Sequence, residues 1–152
     1  MKFLPILSLF IFLISTPTFG QKLNEKDWMK LSDYISAGNQ DSFKKFLNDH
    51  NFSKVDEPNQ KYTFYQWKQS EPHFYGVRVN KTSGQVTYMT NDQNYVLKLI
   101  SKFIADYALV KSETKGTTST THVFQSPNST IAVKLDSSGE SGTHLLFAIS
   151  NQ

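Results

Sequence analysis

The sequence predicts an α+β protein: two tandem helix-plus-three-strand (α-βββ) units whose antiparallel sheet or sheets are covered by helices. Three observations carry that prediction. A long amphipathic stripe lies in the middle of the chain, short alternating segments separated by turn residues flank it on both sides, and the order of elements in the first half recurs in the second.

The elements follow in order. Asn24 is placed to cap a helix, with Asp27 three residues on as the reciprocal partner of a capping box. Trp28, Leu31 and Ile35 recur at helical spacing, and Gly38 is suited to end the run. A second helix is expected from Asn39 or Asp41, with Phe43, Phe46 and Leu47 on one face, ending near His50. The period then changes from helical to alternating. Residues 61–68 are rich in aromatic strand formers, 73–80 alternate with Tyr75, Val77 and Val79 on one face, and 85–90 return after the turn Lys81-Thr82-Ser83-Gly84. Asp92 caps a third helix whose stripe is Val96, Leu99, Ile100, Phe103 and Tyr107. The polar run Ser112 to Thr121 is expected to be mostly loop. Strands at about 120–126, 130–136 and 143–150 complete the prediction.

The first 20 residues stand apart from this pattern. Lys2, then an apolar run from Phe3 to Ile14, then Ser15 to Gly20 give the charged start, apolar middle and small-residue exit of a cleavable secretory signal. The run is shorter than the ~20 residues a spanning helix needs. We therefore expect residues 1–20 to be removed, leaving 21–152 as a single α+β domain that starts near Gln21 and is secreted or periplasmic, with no stable membrane span after cleavage. The chain contains no Cys, so neither disulfides nor thiolates are available to it. Its aromatic residues beyond the expected signal, which exclude Phe3, Phe10, Phe12 and Phe19 of the 12 Phe but include all 7 Tyr and 2 Trp, must supply much of the core instead.

The internal repeat has a definite register. A shift of about 57 positions (the sequence-repeat reading) lays Phe43 on Ile100, Phe46 on Phe103, Phe52 on Leu109 and Trp67 on Phe124. One deletion then lays Tyr75–Asn80 on Ile131–Asp136. The first repeat runs over about 24–91 and the second over about 92–152. This twice-used helix and meander is similar to the β-lactamase-inhibitor-protein architecture. The segment Tyr75-Gly-Val-Arg-Val-Asn-Lys-Thr-Ser-Gly-Gln-Val86 resembles the strand-turn-strand core of PepSY domains. The second copy departs from it after the turn, where Glu140-Ser141-Gly142 lengthens the loop. The resemblance implies an extracytoplasmic binding or inhibitory role and implies no catalytic residues.

A search for chemistry returns no catalytic set. His50, His73, His122 and His144 have no pairwise spacing of a metal site. No Ser lies in a Gly-x-Ser-x-Gly elbow, no glycine-rich phosphate loop is present, and the carboxylates are scattered singly. We expect no catalytic, cofactor or metal site, and hence not an enzyme; a small secreted hydrolase is the alternative that a Ser or His dependence would reveal. Lys residues are interspersed with acids and only one Arg occurs, so nucleic acid is not an expected partner. Sequons at Asn51, Asn80 and Asn128 are read as chance triplets.

The informative asymmetry is on the first sheet. With Trp67, Tyr65 and Thr63 inward, Tyr62, Phe64 and Gln66 point outward, joined by Phe74, Gly76 and Arg78 of the next strand. The second copy offers the smaller Ser119, Thr121, Val123, Thr130, Ala132 and Lys134 there. Tyr62, Phe64, Phe74 and Arg78 are therefore the candidate contact face for a protein or peptide partner, with a carbohydrate stacking on the aromatics as the alternative. A further reading stays open, in which these aromatics pack against the helices or the other half.

Overall fold

The computed structural model describes residues 23–56, 59–67, 72–137 and the backbone of 143–150. The expected signal segment, residues 1–20, lies outside the described residues, as do Lys68 and the Glu140-Ser141-Gly142 loop. In chain order the elements are α1 (Glu25–Ser36), α2 (Gln40–Asp49), β1 (Phe52–Lys54), β2 (Tyr62–Trp67), β3 (Tyr75–Asn80), β4 (Val86–Thr90), α3 (Gln93–Asp106), β5 (Ala108–Lys115), β6 (Ser119–Gln125), β7 (Ser129–Asp136) and β8 (Thr143–Ser150). The class is α+β.

All the strands join one antiparallel sheet in the order β1-β2-β3-β4-β8-β7-β6-β5. The two halves therefore meet edge to edge, through the pairing of β4 with β8. Their ladders share a register. Phe52 lies opposite Trp67 in the first half, and Leu109 opposite Phe124 in the second. Tyr65 lies opposite Val77, and His122 opposite Val133.

Each helix begins where a side chain replaces missing backbone partners. Asn24 accepts from the N–H groups of Lys26 and Asp27 while Asp27 accepts from Asn24 N–H, a complete capping box. Asn39 caps α2 through Ser42 N–H, and Asp92 caps α3 through Tyr95 N–H. The helices bury one stripe each against a single face of the sheet. Trp28 of α1 meets Tyr88 of β4 and Phe103 of α3, both at 6.0 Å between ring centroids. Phe43 of α2 meets Tyr65 of β2 at 5.5 Å, and Phe103 meets Phe124 of β6 at 5.6 Å. Helix α1 thus lies over the seam and ties the halves together, while α2 and α3 each cover one flank. Tyr65, Trp67, Tyr75, Val77, Val79, Val86, Tyr88, Ile131 and Val133 complete the core from the sheet side.

The chain entering α1 is also fixed. Leu23 is fully buried, and its carbonyl accepts a hydrogen bond from the Tyr95 hydroxyl of α3. Glu25, buried at the first turn of α1, accepts from the Tyr107 hydroxyl and pairs with Lys102 at 2.6 Å. Burial and the neighbouring Glu25 push the Tyr107 phenol up to about 12, and the Lys102 ammonium is raised through its hydrogen bond to Glu25.

Four sequence expectations are corrected. Each half contributes four strands and not three, because β1 and β5 were missed. The run Ser112 to Thr121 is not a loop but the end of β5, a turn at 116–118 and the start of β6. Its threonines are β-branched strand formers, and their polarity reflects an edge strand exposed at every position. Gly116 supplies the left-handed conformation (φ +65°) that turns the chain. Tyr107 is not on α3: it is extended (φ −132°, ψ 154°), although its ring still packs edge-on against Phe103 at 5.6 Å. Strand β3 starts at Tyr75, so Phe74 precedes it.

Local structure accounts for the asparagines of two sequons. Asn80 Oδ1 accepts from the N–H groups of Thr82 and Ser83 and organises the β3–β4 turn. Asn51 sits at φ 62° just after α2, a conformation Asn tolerates.

Candidate functional site

Strand alternation divides the side chains of β2 and β3 between two faces. The inward set meets the helices. The outward set holds Tyr62, Phe64 and Gln66 from β2 with Gly76 and Arg78 from β3. Phe64 lies directly opposite Arg78, and Tyr62 opposite Asn80. The four sequence-predicted residues Tyr62, Phe64, Phe74 and Arg78 therefore come together on the face away from the described helices. Their recorded ring contacts run along the sheet and reach no helix: Tyr62 and Phe64 rings are 6.0 Å apart, and the Arg78 guanidinium lies 4.6 Å from the Tyr62 ring centroid. Lys61 brings a second cation to the same ring at 5.3 Å.

Phe74 reaches the cluster by a different route. Its backbone N–H donates to Asn91 Oδ1 at 2.7 Å, which fixes the approach to β3. Its ring then folds over Gly76, where a Cβ would sit 2.6 Å from Phe74 Cζ and 3.3 Å from the Met89 methyl. Gly76 leaves the room for an aromatic ring to lie across the strand. Phe74 is 36% exposed, while Tyr62, Phe64 and Arg78 are half-buried.

Met89 and Thr87 of β4 belong to the same face and were missed from the sequence. They pair with Gly76 and Arg78 in the ladder. The signal was the alternation of β4 itself, since Val86 and Tyr88 point inward. Beyond β4, the backbone register places Phe147 between Thr87 and Ala132, and Leu145 between Met89 and Lys134. On the far half Lys134 pairs with Asp136 at 2.7 Å. Beside Tyr62 an open depression of about 560 Å³ is bordered by Lys54, Asp56, Asn59 and Lys81.

Electrostatics single out Arg78. Its Nη2 donates to Thr87 Oγ1 at 3.5 Å, the long limit of a hydrogen bond, and its buried Nε has no partner among the described residues. Strands β2, β3 and β4 contain no acidic residue.

Among the described side chains, the histidines form no metal-binding group. His50 is stacked on Phe46 at 4.2 Å with Nδ1 2.8 Å from the Phe46 carbonyl, and His73 is exposed elsewhere. Among the described residues no three His, Asp or Glu are grouped to hold a metal ion. Ser112 and His122 are brought together across β5 and β6, with Oγ 3.0 Å from Nδ1. The pair sits on the exposed edge, and among the described residues no carboxylate orients the imidazole, as nucleophilic catalysis would require. No helix among the described residues is long and apolar enough to cross a membrane. No protein-family model, no curated protein and no solved structure matches this chain.

Proposed function

We propose that this chain is an exported, non-catalytic binding protein that docks a protein or an extended peptide on the outward sheet face around Tyr62, Phe64, Phe74 and Arg78. One observation carries the reading: large aromatics and the chain's single arginine are gathered on the side of the sheet opposite the described helices, where the fold does not use them as core. Aromatic and arginine side chains are the residue types that dominate binding energy at protein interfaces. A row of partly exposed side chains spread over neighbouring strands suits an extended surface more than a small molecule. Export rests on the charged, apolar and small-residue order of residues 1–20. The inhibitory version of the proposal, in which the partner is an enzyme of the envelope or medium, rests on the resemblance to β-lactamase-inhibitor-like and PepSY-like chains.

The test uses the chain from Gln21 as bait for envelope and medium proteins, beside a Phe64→Ser/Phe74→Ser double variant. A protein captured by the wild type and lost with the double variant, at unchanged melting temperature, supports the proposal. Equal capture by both chains places the binding surface elsewhere. A fall in melting temperature of 10 °C or so, the scale of a lost core aromatic, shows that the rings are core, and the proposal fails. A glycan array read with Tyr62→Ala and Phe64→Ser separates the carbohydrate alternative, which requires sugar binding lost with those rings.

A further inference from the structure

We infer that the outward face recognises an anionic group, a carboxylate presented by its partner beside an apolar or aromatic side chain, and that Arg78 receives it. The inference rests on the reading of this face as a binding surface and adds the chemistry of what binds.

Arg78 carries a charge that no acid on its own or the neighbouring strands β2 and β4 balances. A guanidinium carries five N–H donors in a planar fork that matches a carboxylate two bonds at a time. Among the described residues Arg78 uses one of them, at 3.5 Å on Thr87, while its Nε is out of contact with solvent and has no partner. Half-buried arginines are ordinarily paired with acids, because burying a cation without a counter-charge is unfavourable. No acidic residue exists on β2, β3 or β4 to supply one, and the ion pairs of the second half, Lys111–Glu113 and Lys134–Asp136, are formed among other residues. The contact with Tyr62 supports the cation from the ring and neutralises none of its charge. Lys61 on the same ring adds positive potential rather than cancelling it. The flanking Phe64, Phe74 and Met89 then define the second half of the ligand, an apolar group next to the acid.

The chain offers a direct reporter, since Arg78 is its only arginine and its Nε–H gives a single side-chain NMR signal in that region. The mature chain is titrated with N-acetyl-Phe-Glu-Phe-amide and, as control, with N-acetyl-Phe-Gln-Phe-amide. The expected result is a saturable shift of the Arg78 Nε–H signal with the acidic peptide, and affinity lower by on the order of tenfold or more for the Gln peptide and for Arg78→Met with the acidic peptide. Arg78→Met is expected to melt at the wild-type temperature or above, since it removes an unsatisfied buried donor. Amide shifts at Phe64 and Phe74 that are equal for both peptides, with the arginine signal unmoved, overturn the anion assignment and leave the face as an apolar docking surface. No saturable shift at any of these residues with either peptide overturns the inference, and the bait experiment above then decides separately whether the face binds a protein. A melting temperature lowered by several degrees in Arg78→Met also overturns it, by showing that the arginine serves the fold.

Discussion

At the scale of single residues, the phenols near α1 link the stability of the fold to alkaline pH. Tyr107, Tyr95 and Tyr88 are all raised above the ordinary phenol value, in each case chiefly by burial. A raised folded-state value favours the neutral phenol in the native state. The stabilisation is complete below the unfolded value near 10 and is lost as pH rises through the folded value, about 12 for Tyr107. We expect stability to fall between about pH 10 and pH 12 by this linkage, with the 295 nm tyrosinate signal of these residues appearing together with loss of the fold. A smooth titration ahead of unfolding would show them to be accessible. Gly76 offers a second prediction. Gly76→Ala puts a methyl group where the Phe74 ring lies, so the ring must swing away. Stability should change by about 1 kcal/mol or less because the ring is at the surface, while partner capture falls as it does for Phe74→Ser.

At the scale of elements, α1 is the piece that joins the halves, and its N-terminus is held by side-chain partners. Asn24→Ala removes both cap bonds and should cost about 1 kcal/mol. Glu25→Ala leaves the Tyr107 hydroxyl and Lys102 without their partner and should cost about 1–3 kcal/mol, read as a lower midpoint in urea. The three helices and their caps were legible in the sequence because Asn24, Asn39 and Asp92 each precede an apolar stripe of helical period. The outward grouping of Tyr62, Phe64, Phe74 and Arg78 was legible too, because alternation along two adjacent strands fixes which side chains share a face. Strand β1 was not, since three residues are too few to show a period. Strand β5 was not, because an edge strand exposed at every position has no buried side to alternate with. The unsatisfied Nε of Arg78 was also beyond the sequence, since it depends on which atoms come within reach in space.

At the scale of the whole molecule, the sheet has two unequal edges. Strand β1 ends one side with three residues, whereas β5 ends the other with eight. Long exposed edges invite pairing with another chain, and charges on them oppose it. Lys111, Glu113 and Lys115 supply those charges, beside the exposed Leu109 and Val110. We expect Lys111→Val/Lys115→Val to increase self-association while leaving the melting temperature nearly unchanged, as measured by light scattering against concentration. Unaltered scattering would show that the edge is protected by its bulge at Leu109/Lys111 and not by charge.

The position of β8 has a consequence in time. Strand β8 follows every other described strand in the chain, yet it is inserted at the middle of the sheet, between β4 and β7. Until it arrives, β4 and β7 are both open edges, and the two halves have no hydrogen-bonded seam between them. A chain stopped after Asp136 should therefore be unable to close the sheet. The described sheet is thus joined at its centre by the strand that comes latest in the chain.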